Sequence, residues 1–522
     1  MVRLASAAPA PRARPGALAA RGRREQPRPA RRGHGRALIA PGTAIRTLGP
    51  LAALTAGALV LRTVGLGRLP LWLDEGFTLL QVTLRPFSDW GADVHPPLYY
   101  ALLWPWAILS TADAWLRLPS ALLGAATVPV VYAIGARLLG RAVGLWAAAF
   151  LGGMWLHVVH SRQARMYPLL VLAFALGLWG LIAGARDGRR AGWVVYAISG
   201  AVMAWCHALG VHYAAILAAL ALAVPRGDGR ARLGRPWPAA AATMAILFAP
   251  WIPVALARTR ETVEHYWIPP AAPEPPILTT IHQFTVAPIH PPASLVRAAL
   301  GIDPGAAGAQ ILGAWLWLAP LLAALVLAVA RADPAQRWAI RLLVIAYASP
   351  IVAFTAVSLV ARPILIPRVL LPVAVPLALL LAAGVQSVPW WRARATAGLA
   401  VALLLLLGTT FAHRRQMDPV EDWRAAASYL RAEARAGDVL FFAMGSLEQV
   451  RGASERSRSI STHETLLLRY DDSGRLATLP RVASWRVTDT CQGELTACLD
   501  TALRAAGAAP GAPVWTLSLI HI

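Results

Sequence analysis

Apolar runs of about 20 residues recur along most of this chain, each closed by a short polar or Arg-bearing segment. Coiled as an α-helix, a run of that length matches the hydrocarbon core of a bilayer. The runs fall near 48–67, 97–115, 118–136, 142–159, 165–185, 193–209, 210–224, 238–257, 311–330, 339–360, 369–386 and 396–412. Pro and Gly lie inside many of them, which spanning helices tolerate.

Arg placement sets the direction of crossing, because Arg-rich loops favour the cytoplasmic side. Residues 186–190, 225–236, 331–337 and 392–394 are such segments, and the basic start of the chain is another. The spans between them alternate. That places 68–96, 161–165, 207–211, 258–310, 361–368 and everything from His413 outside. One stretch breaks the alternation: three apolar segments, 97–115, 118–136 and 142–159, join two outside loops. An odd number of crossings cannot return the chain to the same side. One of the three is therefore short, re-entrant or interfacial, or two fuse with a break. The pattern predicts an all-α polytopic membrane protein of eleven spans, N-terminus inside and C-terminus outside, with twelve as the alternative.

The two ends read differently. Residues 1–46 hold eleven Arg and one acid, Glu25, and no apolar run that suits a core or a signal peptide. They predict a disordered cytoplasmic tail that orients the first span, or in part a misassigned start. Beyond His413 the hydrophobic period changes. Trp423, Ala426, Ala427 and Leu430 share one helical face, Gly437 ends that helix, and residues 438–443 read as a buried strand. Residues 413–516 thus predict a small extracytoplasmic α/β segment. The last six residues, 517–522, read as a sequencing artefact, which would leave this segment incomplete. Cys491 and Cys498 form a disulfide or stay a free buried pair, and an extracytoplasmic setting permits the former. Cys206 predicts core packing.

Composition supports the membrane reading: the chain is 57% hydrophobic and 14% charged, against about 25% charged in soluble domains. The net charge of +23 comes from Arg alone, since the chain has no Lys. Those Arg fall in the tail and in short loops, the positive-inside pattern, so no nucleic-acid partner is inferred.

Candidate chemistry gathers on the outer side. Asp74-Glu75 follows the first span. A carboxylate pair at a bilayer surface serves as a general base, holds a metal, or is two solvated loop acids. Asp93-Val94-His95-Pro96-Pro97-Leu98 enters the next apolar run, where two prolines suit a helix's first turn. It shapes a site or simply caps the entry. Arg162 and Arg165, with Tyr167, stand outside against the positive-inside trend. A guanidinium fork there pairs with a substrate phosphate, or snorkels to lipid phosphates generally. Arg362 and Arg368 repeat the pattern.

Taken in order, these motifs resemble bacterial polyprenyl-phosphate-dependent glycosyltransferases over roughly residues 45–445. The carriers are Asp74-Glu75, the DVHPPL stretch, the Ala164-Arg165-Met166-Tyr167 segment, Arg368 before a Pro-rich span, and Glu421-Asp422-Trp423-Arg424 followed by Gly437-Asp438-Val439. The group is the GT-C fold, glycosyltransferase family 39-like, with the protein O-mannosyltransferases and lipid A aminoarabinose transferases. The resemblance implies a catalytic transmembrane domain over 47–412, in the bacterial plasma membrane. It implies transfer of a hexosyl or pentosyl group from a polyprenyl-phosphate-linked sugar to a hydroxyl acceptor on protein, lipid or glycan. Asp74 would be the general base of an inverting attack. Glu75 would support it or help hold a divalent cation, a need that differs among family members. Arg162, Arg165, Tyr167 and Arg368 would bind the donor phosphate. Asp93 and His95 would shape the pocket, and His95 and His265 are further candidate metal ligands. Val369 departs from the family's aromatic after the late Arg, and the large lumenal repeats of the eukaryotic enzymes are missing. A flippase for a lipid-linked sugar is the alternative reading, and an assembly factor without chemistry a third. The sequence shows no internal repeat of the transporter kind.

Overall fold

The structure is a computed structural model. It describes residues 41–85, 90, 95–224, 236–257, 276–285, 305–361, 363–415, 421–442, 462–483, 501–509 and 511–517. Asp93, His265, Arg362, Cys491 and Cys498 lie outside the described residues, as does the tail 1–40.

Helices dominate because a chain in lipid must satisfy every backbone N–H and C=O internally. In chain order they begin with α1 (Pro41–Thr63), α2 (Leu73–Thr83), α3 (Leu98–Leu109), α4 (Asp113–Leu138), α5 (Arg141–Gly153) and α6 (Trp155–Ser161). Then come α7 (Tyr167–Ala185), α8 (Arg190–Cys206), α9 (Gly210–Leu220), α10 (Pro236–Phe248), α11 (Pro276–Thr285), α12 (Gly305–Ala330) and α13 (Arg337–Val360). A 3₁₀ turn over Pro367–Val373 leads into α14 (Ala374–Gln386), followed by α15 (Trp391–Arg415). Among the described residues, six helices are long and apolar enough to cross a membrane, or seven if α5 and α6 form one broken span. Leu48–Thr63, Leu98–Leu109, Gly210–Ala223 and Leu318–Ala330 are shorter apolar helices.

The three segments after His95 differ in length and straightness. Helix α3 has 12 residues, a length of roughly 18 Å, well short of the ~30 Å apolar core. Helix α4 has 26 and is long enough. Helices α5 and α6 meet at a bend of 59°, the geometry of a broken span or a re-entrant loop. Trp106 at the end of α3 stacks on Trp115 at the start of α4, centroids 4.2 Å apart. Each indole N–H donates to the other's backbone carbonyl, at 2.8 and 3.0 Å. A paired Trp clamp of this kind suits the membrane–water boundary.

The helix bundle is centred on α7 and α14. The apolar stretch of α7 is 83% buried and that of Pro367–Gln386, α14 with its leading 3₁₀ turn, 94%, against 17% for the peripheral Pro236–Ala257. Glycines allow the closest approach: a Cβ on Gly180 of α7 would lie 2.7 Å from the Gly192 carbonyl of α8. This is small-residue packing of membrane helices, where close contact replaces the hydrophobic drive.

The segment after α15 is α/β, as its altered period predicts. Helix α16 (Trp423–Glu433) buries Trp423, Ala427 and Leu430, and Asp422 caps it by accepting from the Ala425 N–H at 2.9 Å. Gly437 follows at φ 96°, where a Cβ would be strained. Strand β1 (Val439–Phe442) lies between β2 (Arg481–Ala483) and β3 (Val514–Leu517), all parallel. Parallel strands need buried faces. Helix α17 (Thr462–Arg469) contributes buried Leu466 and Leu467 to the apolar core. Leu517, the first of the six terminal residues, pairs with Phe442 in this sheet; the other five lie outside the described residues.

Candidate active site

The site is built around the first turn of α2, which carries Asp74 and Glu75 adjacent in sequence but in different surroundings. Asp74 is partly exposed, and its Oδ2 lies 3.4 Å from Arg368 Nη1. Glu75 is buried. Its carboxylate receives Arg117 Nε at 2.7 Å and Nη2 at 2.5 Å, and the Ala164 amide at 2.7 Å. The Trp72 amide also donates to it, at 3.4 Å. Arg117 spends its remaining donors on the carbonyls of Leu66, Leu69 and Pro70. Both Glu75 oxygens are engaged by protein donors. That is an anchor's environment, not that of a cation or of a second base.

Arg165 reaches the same turn. It is buried and donates from Nη1 to the Asp74 carbonyl at 3.0 Å and to Thr78 Oγ1 at 3.2 Å. Tyr167 is buried at the start of α7, two residues after Arg165. Arg368 comes from the 3₁₀ turn before α14 and lies over the Trp72 ring, 5.9 Å from its centroid. A break in helical geometry there puts a cation beside Asp74.

Arg162 departs from its expected role. Its Nη1 donates to the carbonyls of Leu61, Arg62 and Val64, at 3.2, 3.1 and 2.8 Å. These are unpaired groups at the end of α1, so Arg162 caps a helix C-terminus. It is not gathered with Arg165 at Asp74.

Histidines complete the pocket. The rings of His95 and His207 lie 4.7 Å apart, and Tyr167 is 5.7 Å from His207. His160 packs against Tyr167 at 5.1 Å and pairs with Gln163 at 2.9 Å. Backbone amides pin two of these rings. Ala208 N–H donates to His95 Nδ1 at 3.3 Å, and Leu209 N–H to His207 Nδ1 at 3.0 Å. An Nδ1 that accepts leaves the proton of the neutral ring on Nε2. Burial first, then Arg165 and Arg368, hold His95 well below the usual histidine range. Burial, His95, Arg165, Arg368 and His212 do the same to His207.

Sequence reasoning missed Arg117, His160 and His207. Arg117 falls between the apolar runs 97–115 and 118–136, where it reads as an ordinary loop charge; only the structure places it inside α4, where a buried Arg demands a partner. His207 registered only as a loop boundary. Among the described residues no three His, Cys, Asp or Glu side chains converge as metal ligands.

Residues 94–253 match the model of a family described as dolichyl-phosphate-mannose-protein mannosyltransferase. That stretch contains His95, Arg117, Arg162, Arg165, Tyr167 and His207. The folded chain is similar to the crystal structure of ArnT from Cupriavidus metallidurans in the apo state. The TM-score is 0.55 at 15% identity, over 90% of this chain and 89% of that one. The chain has the GT-C fold. A second crystal structure, ArnT from Cupriavidus metallidurans bound to undecaprenyl phosphate, gives a TM-score of 0.52, also at 15% identity, over 90% of each chain. No curated protein matches the sequence. The matched stretch and the shared fold are in keeping with the resemblance to GT-C, family 39-like glycosyltransferases drawn from the sequence. With six described helices long and apolar enough to cross a bilayer, this is a multi-pass membrane protein of that fold. The fold brings Asp74, Glu75 and Arg368, all outside the matched stretch, to the residues within it.

Proposed function

We propose that this protein transfers a hexosyl or pentosyl group from a polyprenyl-phosphate donor to a hydroxyl acceptor. The reaction takes place at the extracytoplasmic face of the bacterial plasma membrane, in a domain of eleven spans over 47–412. The N-terminal tail faces the cytoplasm and the α/β segment faces outward. The observation that carries the reading is the meeting of Asp74 with Arg368 and Arg165, from three distant segments. The donor class is supported by the likeness to ArnT, which is seen bound to undecaprenyl phosphate.

In this mechanism Asp74 is the general base. It takes the acceptor's hydroxyl proton while that oxygen attacks the anomeric carbon from the face opposite the phosphate. The bond from the anomeric carbon to the phosphate oxygen breaks, and the electron pair leaves with the polyprenyl phosphate. The configuration inverts. Arg368 exchanges its contact with Asp74 for the donor phosphate, which frees the carboxylate and stabilises the departing charge. Arg165 supports the phosphate and fixes Asp74 through its carbonyl. Tyr167, His95 and His207 form the pocket wall, and their neutral rings add no charge. Glu75 holds the turn in place.

The test is transfer from polyprenyl-phosphate sugars in proteoliposomes, comparing the wild type with Asp74→Asn. Loss of at least about 100-fold in kcat, with the protein folded, is expected for a removed base. Full activity in Asp74→Asn would overturn the mechanism.

A further inference from the structure

The α/β segment is built into the first turn of α2. Its residue Glu421 is buried, and Glu421 Oε2 accepts the Leu73 N–H at 2.8 Å. Trp423 Nε1 holds the same oxygen from the other side at 3.1 Å. Leu73 is the first residue of α2 and immediately precedes Asp74. The opening N–H groups of a helix have no partner within it. The Leu73 N–H finds its partner nearly 350 residues away in sequence.

A second attachment lies two residues earlier. The Leu71 N–H donates to Tyr470 Oη at 2.7 Å, and that hydroxyl donates to Asp113 Oδ2 at 2.9 Å. Asp113 opens α4 and also takes Arg424 Nη2 and Arg469 Nη2, each at 2.7 Å. A third attachment is steric. A Cβ on Gly76 would fall 2.7 Å from Leu466 Cδ1, so α17 rests directly on α2. From the opposite side, Arg117 and the Ala164 amide grip Glu75, and Arg165 grips the Asp74 carbonyl.

We infer that Glu421 and Tyr470 are positioning residues for Asp74: the α/β segment is the second jaw of a clamp that fixes the turn bearing the base. The inference rests on the proposed role of Asp74. Neither residue touches the reacting atoms. Each acts through a backbone amide of residues 71–73, so a lost contact lets the turn pivot on its membrane-side anchors. A shift of about 1 Å in a reacting group costs on the order of 100-fold in rate.

The experiment uses the full-length protein in proteoliposomes. Glu421→Ala should lower kcat per folded molecule by roughly 10- to 100-fold while the donor KM stays within about twofold. Glu421→Gln keeps an acceptor oxygen for the Leu73 N–H and should restore most of the rate. A purely structural contact would instead lower folded yield and leave kcat unchanged. Hydrogen exchange at the amides of Leu71 and Leu73 should speed up in Glu421→Ala and in Tyr470→Phe, which removes one hydroxyl only and keeps the measurement available if Glu421→Ala fails to fold. Unchanged exchange in the folded variants, or wild-type kcat in Glu421→Ala, overturns the clamp. Exchange is read without any substrate. Faster exchange in a protein that transfers no sugar would retain the clamp and overturn the glycosyl-transfer reading alone.

Discussion

Arg368 Nη1 stands 3.4 Å from Asp74 Oδ2, although 294 residues separate them in sequence. Both side chains keep about a fifth of their surface exposed, so the pair is open to exchange with an anionic ligand. Such a half-open pair contributes little to stability. Its value lies in placing a cation where a leaving phosphate would form. Arg368→Ala should raise the donor KM and lower kcat together. Charge-assisted hydrogen bonds contribute about 1.5–3 kcal/mol, roughly 10- to 100-fold. Arg368→Lys should recover only part of this, because an ammonium cannot present a planar fork. Steady-state kinetics with graded donor measures both. A donor KM unchanged in Arg368→Ala would remove Arg368 from the phosphate site.

The Glu75–Arg117 pair behaves in the opposite way. Both side chains are buried, and the carboxylate also holds the Ala164 amide. Removing one partner strands a charge in the apolar interior, at a cost of about 3–5 kcal/mol. Glu75→Ala and Arg117→Ala should each lower folded yield and thermal midpoint sharply, in the absence of any substrate. Thermal unfolding of the detergent-solubilised variants tests this. A midpoint equal to wild type in either variant would show that the pair is not an anchor.

Much of this was legible in the sequence because membrane helices announce themselves by run length and polarity. The surplus of apolar segments after His95 was visible, but their unequal helix lengths were not. Helix α3 ends at Leu109 and a new helix starts at Asp113; Ser110, Thr111 and Asp113 mark that break, yet the apolar run 97–115 extends across it. Asp74 and Arg368 were legible as charged groups on one side of the bilayer. The separate tasks of Asp74 and Glu75 were not, since adjacent acids look alike until burial separates them. Arg162 and Arg165 show the same limit. Three residues apart, one closes the end of α1 and the other reaches Asp74. Glu421 was visible within a motif, but its bond to Leu73 depends on docking between segments, which no local pattern encodes.

His95 and His207 predict an acid limit. Burial and the neighbouring Arg165 and Arg368 keep both rings neutral in the folded protein. An unfolded histidine takes up a proton near its ordinary value of 6.5. Below that value the unfolded state binds more protons than the folded one, so stability falls as pH falls. Above it neither state is protonated and the effect vanishes. The carboxyl of Glu421, raised mainly by burial, has the opposite sign: its contribution is full below the ordinary value of 4.5 and is lost as pH rises through the folded value. The thermal midpoint should therefore be flat above about pH 7 and decline below about 6.5. His207→Gln should flatten that decline. An identical slope in His207→Gln would assign the acid loss to other groups.

Arg162 and Arg165 provide the sharpest contrast, because a general role in snorkelling to lipid would make them equivalent. Arg162 donates to three carbonyls at the end of α1, so Arg162→Ala should leave those groups short of donors and destabilise the protein by about 1–3 kcal/mol. It should not change the donor KM of the protein that remains folded. Arg165→Ala removes the bond to the Asp74 carbonyl and a cation beside the base. It should weaken apparent donor affinity and lower kcat, and polyprenyl phosphate should inhibit it less strongly as product. Measuring thermal midpoint and donor KM on both variants separates the roles. If both variants lose donor affinity equally, Arg162 belongs to the phosphate site after all. If neither does, the donor phosphate is held elsewhere, and Arg165 acts only by fixing the turn that carries Asp74.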